Sequence, residues 1–300
     1  MEIPEFLIEK LETQYGVENK EKILEGFTKK RKVTFRVNTL KASVQEIEDL
    51  LKREKIEFEK VIWSKEAFII KNAREEDIQK LDIYEQGKIY LQSLSSMLPP
   101  IVLNPEDGKD ILDMAAAPGG KTTQMAALSN NKAHITACEM NNIRIEKLKY
   151  NVEKQGASCV YIMQKDSRQI DDFFSFDQVL LDSPCSGSGT LDIDNINTEK
   201  YFTPKLVEKS TKSQYTLLKK ALKILKPGHE MVYSTCSILK EENEDIVNKV
   251  LKEAKAEIVP IEFEGLEQLP VLPVDLSGTI CVMPTEEYEG FYIAKIRRLK

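Results

Sequence analysis

The stretch KDILDMAAAPGGKT, residues 109–122, joins a short apolar strand to a turn of small residues and the start of a helix. The apolar run stops at Asp113, glycine and proline interrupt regular structure, and a helix is predicted from Lys121. A strand that turns directly into a helix is typical of proteins in which helices and strands alternate. The stretch therefore predicts an α/β fold around it.

The chain after residue 105 repeats this alternation. Further strands are predicted at 134–139, 160–166, 176–182 and 229–235, and further helices at 142–155 and 203–226. Helices recurring between short apolar strands indicate a parallel, doubly wound sheet of the Rossmann-like type, which binds ligands at the carboxyl ends of its strands. Four carboxylates and a thiol fall at those ends: Asp113, Glu139, Asp166, Asp182 and Cys236.

Two functions fit the small-residue turn. AAAPGGKT, residues 115–122, has the loose spacing of a phosphate loop, and QVLLD at 178–182 resembles a magnesium-binding strand. A nucleotidase would use Lys121 for the outer phosphates of ATP, and Thr122 with Asp182 for magnesium. This interpretation leaves Glu139 and the thiols without a role.

The alternative is a site for S-adenosylmethionine. A turn of small residues lets the backbone approach the amino-acid end of that cofactor. Glu139 is placed to accept both ribose hydroxyls, and Asp166 to meet the adenine amino group. The residues of the turn are Ala115, Ala116, Ala117, Pro118, Gly119 and Gly120.

A different pattern precedes residue 100. Its predicted order of strand, helix, strand, strand, helix, strand is that of ferredoxin-like and RNA-recognition folds. We therefore expect a small α+β RNA-binding domain at 1–100, beginning with a short helical segment, and a catalytic domain at 101–300. The basic stretch TKKRKVTFR, residues 28–36, and the residues after it suggest an RNA contact. The candidates are Lys29, Lys30, Arg31, Lys32, Arg36 and Asn38.

Composition excludes several classes of protein. Five cysteines without a CxxC pair, and only two histidines, argue against disulfides and a zinc site. No apolar run approaches the roughly 20 residues of a membrane span, and the acidic start is unlike a signal peptide. We expect a cytoplasmic monomer without a metal. A net charge of −6 argues against indiscriminate binding to nucleic acid.

Six motifs carry a resemblance to a known family. They are FRVNTLK (35–41), YLQSLSSMLP (90–99), DMAAAPGGKT (113–122), DSPCSGSGT (182–190), YSTCSILKEENE (233–244) and EGFYIAKIRR (289–298). In this order the chain resembles the Sun/Nop family of RNA cytosine-5 methyltransferases, which includes the bacterial Rsm-type enzymes. The resemblance implies a class I methyltransferase domain that uses S-adenosylmethionine to methylate carbon 5 of a cytosine in structured RNA, with ribosomal RNA favoured over transfer RNA.

The chemistry of that reaction explains the thiols. Carbon 5 of cytosine is a poor nucleophile until a thiolate adds to carbon 6, and a second group can then help release the enzyme. The resemblance implies that Cys236 attacks and Cys185 assists release, that Asp182 meets the cytosine amino group and ring nitrogen 3, and that Lys121 contacts the base or orients these groups. Arg144 matches a position near the cofactor.

A predicted helix at 238–254 would place its amino-terminal dipole next to Cys236 and favour the thiolate. An inactive RNA-binding scaffold is a further alternative, which the presence of both thiols and all the acids disfavours.

Three features depart from the family pattern. Ala115 replaces the usual cysteine of the first motif, and Cys281 replaces an arginine often found before the Leu-Pro of the late motif. The chain also stops at Lys300, before the carboxy-terminal RNA-binding domain of larger relatives. We therefore expect target choice to come from the amino-terminal domain, the catalytic cleft or a partner.

Overall fold

The architecture consists of a small antiparallel sheet followed by a large, mostly parallel one. The computed structural model describes residues 3–191 and 202–300. The amino-terminal elements are α1 (Glu5–Thr28), β1 (Val33–Val37), α2 (Val44–Arg53), β2 (Phe58–Val61), β3 (Ser64–Ile70), α3 (Glu75–Gln79), α4 (Asp82–Glu85) and β4 (Ile89–Leu91).

The large sheet and its helices follow in the rest of the chain. These elements are α5 (Leu94–Leu103), β5 (Asp110–Asp113), α6 (Gly120–Leu128), β6 (His134–Cys138), α7 (Asn142–Gln155), β7 (Val160–Met163), β8 (Phe176–Asp182), α8 (Pro204–Ile224), β9 (Leu225–Thr235), α9 (Glu244–Glu253), β10 (Ala256–Val259), β11 (Val271–Leu272), β12 (Ile280–Val282) and β13 (Phe291–Arg298).

The small sheet has the strand order β2-β3-β1-β4, with every pairing antiparallel. This is the predicted ferredoxin-like arrangement, in which β1 lies between β3 and β4. The second helix of the predicted order is two short helices, because extended backbone at Leu81 separates α3 from α4. The break allows Ile78 and Ile83 to bury their side chains in the same core.

Helix α1 belongs to the core of the large sheet. Its apolar side chains Leu7, Leu11, Ile23 and Phe27 are buried in the cluster that contains Tyr233. The expected short helical start is thus a longer helix, broken at Gly16 (φ 76°), that packs on one face of the large sheet. The division at residue 100 stays a prediction.

The large sheet confirms the predicted doubly wound architecture. Its order is β11-β12-β13-β9-β8-β5-β6-β7, with β10 beside β13. Strands β5 to β9 run parallel to one another, whereas β13 is antiparallel to β9. Side chains alternate between two cores: Leu112 and Leu181 face one cluster, Ile111 and Leu180 the other. Both faces are therefore covered, as parallel sheets require.

Candidate active site

Two thiols meet at the carboxyl ends of neighbouring strands. Cys236 follows β9 and Cys185 lies three residues after β8, and their Sγ atoms are 2.8 Å apart. Neither forms a disulfide. The strands are parallel, with Asp182 in register with Ser234. The pairing of β8 with β9 thus brings together residues that are 51 positions apart in the chain.

Hydrogen bonds fix the two cysteine-bearing loops to each other. The amide of Ser183 donates to the carbonyl of Ser234 at 2.8 Å, and the amide of Gly189 donates to the carbonyl of Cys236 at 3.0 Å.

The prediction that a helix dipole lies next to Cys236 was wrong. A 3₁₀ turn covers Lys240–Glu242 and α9 begins only at Glu244, whereas the dipole acts within one turn.

A partly buried ion pair lies beside Cys236. Lys121 Nζ lies 2.8 Å from Asp182 Oδ2 and donates to Ser96 Oγ at 2.7 Å. Burial alone would lower the pKa of Lys121, but attraction to Asp182 and their hydrogen bond raise it overall. Ser234 Oγ donates to the other oxygen of Asp182 at 2.7 Å, and the Phe291 ring lies 5.4 Å from Nζ. The pair is therefore held in one geometry.

Thr122 and Asp182, the magnesium ligands of the phosphate-loop alternative, are each bound to another side chain. Thr122 Oγ1 donates to Asp113 Oδ2 at 2.7 Å, both residues are buried, and Lys121 is occupied by Asp182. Burial raises the pKa of Asp113 to about 6, although the Thr122 hydrogen bond opposes the shift. These contacts remove the groups that the phosphate-loop alternative needs. Within residues 3–191 and 202–300, no cluster of three or more histidine, cysteine or acidic side chains is suited to a metal ion.

The small-residue turn is shaped by contacts to its backbone. The amide of Ala116 donates to the carbonyl of Cys138 at 2.9 Å, and Arg144 Nη2 donates to the carbonyl of Ala117 at 2.6 Å. Asn151 Nδ2 donates to the carbonyl of Pro118 at 2.8 Å. Gly119 has φ 109°, a conformation that favours glycine, and α6 begins at the next residue. The turn is thereby kept close to the sheet.

A cavity of about 210 Å³ opens beside this turn. Ala115, Glu139, Arg144 and Asp166 are among the residues that line it. Glu139 is buried, accepts from the amide of Asn141 at 2.8 Å and lies 3.4 Å from Arg144.

Asp166, at the same cavity, is held by an ion pair. Arg168 donates to both of its carboxylate oxygens, and this hydrogen bonding lowers the pKa of Asp166 despite its partial burial. Both acids are therefore positioned at the cavity wall by local contacts.

A second cavity, of about 400 Å³, lies beside the Cys236 thiol and the ion pair. Its lining includes Lys121, Asp182, Cys236 and Phe291, and it also includes Ala115, which lines the first cavity. The two spaces thus adjoin, one lined by acids and one by the thiol and the ion pair. Carboxylates accept hydrogen bonds from hydroxyl and amino groups, so Glu139 and Asp166 fit the ribose and adenine of S-adenosylmethionine.

Two predicted RNA contacts are wrong in this structure. Arg36 and Asn38 are only 3% and 0% exposed. Arg36 donates to Gln92 at 2.9 Å and to Thr123 at 2.7 Å, and burial lowers its pKa to about 10. Asn38 donates to the carbonyls of Gly87 and Gln155 at 2.8 and 2.7 Å. Both residues join the small sheet to α6 and α7.

Three of the other basic residues of this stretch are bound to acceptors. Lys29 pairs with Glu25, and Lys32 pairs with Glu286 and Glu287. Arg31 donates to the carbonyls of Gly26 and Thr285. Lys29 and Lys30 are the exposed members of the patch.

Cys281 lies away from the reactive cavity. It is 2% exposed, and its Sγ is 3.7 Å from the hydroxyl of Tyr15 in α1. Burial raises the pKa of this thiol to about 12. Cys281, which stands where the family often has an arginine, therefore packs beneath α1.

Sequence reasoning missed three polar residues of the site and its supports. Ser96 and Ser234 bind Lys121 and Asp182, and the buried Glu242 lies under both cysteine loops. All three are inside motifs that carried the family resemblance, but no spacing rule identified their partners.

The sheet order, the small-residue turn after the first parallel strand and the acids after the first two parallel strands define a class I methyltransferase domain with a Rossmann-like fold. The sequence profile described as 16S rRNA methyltransferase RsmB/F matches residues 100–297, and that of a Methyltr_RsmF/B-like ferredoxin-like domain matches residues 3–76. The chain belongs to this RsmB/F family of RNA methyltransferases.

Curated relatives have related names. Ribosomal RNA small subunit methyltransferase F of Shewanella sp. (strain ANA-3) is 36% identical over 275 residues, which are 89% of this chain and 56% of the relative. The chain therefore spans little more than half of such relatives. The tRNA (cytosine(49)-C(5))-methyltransferase of Pyrococcus abyssi is also 36% identical, with 88% of each chain covered.

Solved structures share the whole fold. A methyltransferase homolog protein from Pyrococcus horikoshii has a TM-score of 0.84 and 33% identity, with 99% of this chain and 100% of that one covered. NSun6 from Pyrococcus horikoshii with SFG has a TM-score of 0.85 at 23% identity, with 99% of this chain and 98% of that one covered, and this likeness concerns the fold alone.

Within the described part of the chain, no helix is sufficiently long and apolar to cross a membrane.

Proposed function

We propose that this protein transfers a methyl group from S-adenosylmethionine to carbon 5 of a cytosine in structured RNA, through a covalent bond between Cys236 and the base. The observation that carries this proposal is the thiol pair, with Sγ atoms 2.8 Å apart, next to the Lys121–Asp182 ion pair. A second thiol at hydrogen-bonding distance serves a reaction in which the first must both attack and leave.

The acid-lined cavity is the proposed cofactor site. Glu139 would accept the ribose hydroxyls, Asp166 would meet the adenine amino group, and the turn at 115–120 would face the amino-acid end. Arg144 supports this site by fixing Glu139 and the carbonyl of Ala117. When bound, S-adenosylmethionine would supply an electrophilic methyl group to carbon 5 and leave as S-adenosylhomocysteine, which keeps the electron pair of the broken sulfur–methyl bond.

The base would occupy the second cavity. The Cys236 thiolate adds to carbon 6, and the electron pair of the ring double bond makes carbon 5 nucleophilic. Asp182, held by Lys121 and Ser234, would face the amino group and ring nitrogen 3.

Release reverses the addition once carbon 5 is methylated. Water takes the proton from carbon 5, and the electron pair of that carbon–hydrogen bond restores the ring double bond. The bond between carbon 6 and sulfur breaks, and its electron pair returns to Cys236. Cys185 assists this release.

The proposed target is a cytosine in ribosomal RNA, as the name of the Shewanella relative suggests. The exposed Lys29 and Lys30 would contact its phosphates. Glutamine at both positions should weaken RNA binding and lower the slope of affinity against salt by about two. S-adenosylmethionine affinity should not change, and an unaltered slope would assign both lysines to a solvated face.

Bisulfite sequencing tests the reaction. Total RNA from cells with and without the gene is compared, and one ribosomal cytosine should lose protection when the gene is absent. A lost site in transfer RNA would correct the target but keep the chemistry. No lost cytosine in either RNA, with purified protein that also transfers no methyl label, would overturn the proposal.

A further inference from the structure

A buried carboxylate lies between the loops that carry the two thiols. Glu242 is 0% exposed. Its carboxylate accepts from the amide of Ser186 at 2.8 Å and from the hydroxyl of Ser237 at 2.6 Å, and the Ser186 hydroxyl donates to it as well. Ser186 follows Cys185 and Ser237 follows Cys236. One side chain therefore binds the residue after each thiol.

Helix α8 adds a further contact. Gln214 Nε2 donates to Glu242 at 3.2 Å and to the carbonyl of Pro184 at 3.1 Å. With the two serines it completes a set of four hydrogen bonds to the buried carboxylate. Such a saturated buried network holds its members in a single arrangement.

The charges around the two thiols differ. The titratable groups around the pair are Lys121 and Asp182 near Cys236, and Glu242 and Tyr233 near Cys185. The positive charge in this set, on Lys121, interacts with Cys236, whereas the negative charge of Glu242 acts on Cys185. The hydrogen bond with Cys236, burial, and the charges of Cys236 and Glu242 raise the pKa of Cys185 well above its usual range. Cys185 is thus favoured as the protonated member.

We propose that Glu242 is a positioning residue that fixes the two thiols at hydrogen-bonding distance and gives them different roles, with Cys185 as the neutral donor and Cys236 as the nucleophile. This inference rests on the proposed function. A Cys185 S–H group that donates to the Cys236 sulfur stabilises that sulfur as an anion before attack. It does the same when the carbon–sulfur bond breaks and the electron pair returns to Cys236.

Thiol alkylation in the free protein tests the assignment without RNA or cofactor. Initial rates with iodoacetamide are followed for each cysteine by peptide mass spectrometry between pH 6 and pH 10. In the unmodified sequence Cys236 should react faster than Cys185. Glu242→Gln should speed alkylation of Cys185 at pH 8 about tenfold, because a neutral neighbour lowers the cost of the thiolate.

Glu244→Gln is the matched control. Glu244 is also buried and accepts from the amide of Asp275 at 2.7 Å, away from both cysteine loops. Its replacement should leave both alkylation rates unchanged. Equal Cys185 rates in Glu242→Gln and the unmodified protein, with both folded by circular dichroism, would overturn the assignment.

A second variant covers the case in which Glu242→Gln does not fold. Ser186→Ala removes one donor but keeps the carboxylate charge, so alkylation of Cys185 should slow by about threefold. An unchanged or faster rate would contradict the proposal. Failure of the methyltransferase function is distinguishable, because it would abolish methyl transfer while the difference between the two thiols remained.

Discussion

Gly290 donates its backbone N–H to the carbonyl oxygen of Gly189 at 2.8 Å, so the loop after Cys185 lies directly on the segment that enters β13. A Cβ atom on Gly189 would lie 2.0 Å from the carbonyl oxygen of Gly290, and one on Gly290 would lie 2.7 Å from Gly189 Cα. Glycine is needed at 189 because a Cβ there would meet only backbone atoms, and at 290 because a Cβ would meet both the Gly189 backbone and the Ile238 side chain.

Alanine at Gly189 should displace the Cys185 loop. The clash with backbone should lower the free energy of unfolding by about 2 kcal/mol and reduce methyl transfer at least tenfold. Denaturant unfolding and a methyl-transfer assay measure the two effects. Gly108→Ala is the comparison: open space surrounds Gly108, so its φ of 73° should cost about 1 kcal/mol and leave transfer intact. Equal activity losses in both variants would contradict a local effect.

Alanine at the two thiols should cause opposite failures. Cys236→Ala should form no covalent adduct with RNA and no product. Cys185→Ala should still attack and transfer the methyl group but release slowly, so a protein–RNA complex labelled from methyl-tritiated cofactor should persist in denaturing gels. A trapped complex in Cys236→Ala would reverse the roles. Normal turnover by both variants would make Cys185 a packing residue.

Asparagine at Asp113 should stabilise the protein at neutral pH. The folded pKa of about 6 is above the ordinary 3.8, so the protonated group stabilises the fold below about pH 4 and this contribution is lost as pH rises through 6. Replacement should therefore raise the free energy of unfolding at pH 7.5 by up to about 3 kcal/mol, and less at pH 5. Denaturant titrations of the original protein and Asp113→Asn at both pH values measure this change in the free energy of unfolding. A gain that is equal at both would contradict the ionisation argument.

Alanine at Arg36 should loosen the contact between the small sheet and α6. Loss of its buried hydrogen bonds should lower the free energy of unfolding by about 3 kcal/mol. Arg53, on the exposed side of α2, lies 4.0 Å from Glu54, and Arg53→Ala should change stability by less than about 0.5 kcal/mol. If Arg36→Ala were as stable as the original protein but bound RNA more weakly, the prediction that Arg36 contacts RNA would be supported after all.

Calorimetry should detect S-adenosylmethionine and not ATP with magnesium. Glu139 and Asp166 at the cavity accept hydrogen bonds, which the ribose hydroxyls and adenine amino group can donate. The phosphate-loop residues Lys121 and Thr122 are already bound to Asp182 and Asp113. Glu139→Gln should weaken cofactor binding about tenfold, because a charge-assisted hydrogen bond is lost. Micromolar ATP binding without a response to S-adenosylmethionine would favour the nucleotidase.

Local patterns determined the large sheet and the edge at which its site lies. Apolar runs separated by helical periodicity predict parallel strands, and parallel strands bring their carboxyl ends to one edge. Asp113, Asp182 and Cys236 could therefore be predicted to be close together. Alternation could not predict the break at Leu81, because burial of both Ile78 and Ile83 is a tertiary effect.

Only the tertiary structure decided which polar side chains are free to bind a substrate and which are already bound within the fold. Arg36 and Asn38 follow a basic run and suggest an RNA contact, yet they are buried between the small sheet and the helices beside the cofactor turn. Lys121 could serve a phosphate or a carboxylate until its neighbours were known. Glu242 acts on residues that β8 and β9 bring together from distant segments. Periodicity specifies where a strand ends, whereas charge pairing and burial depend on contacts across the fold, which no local pattern contains.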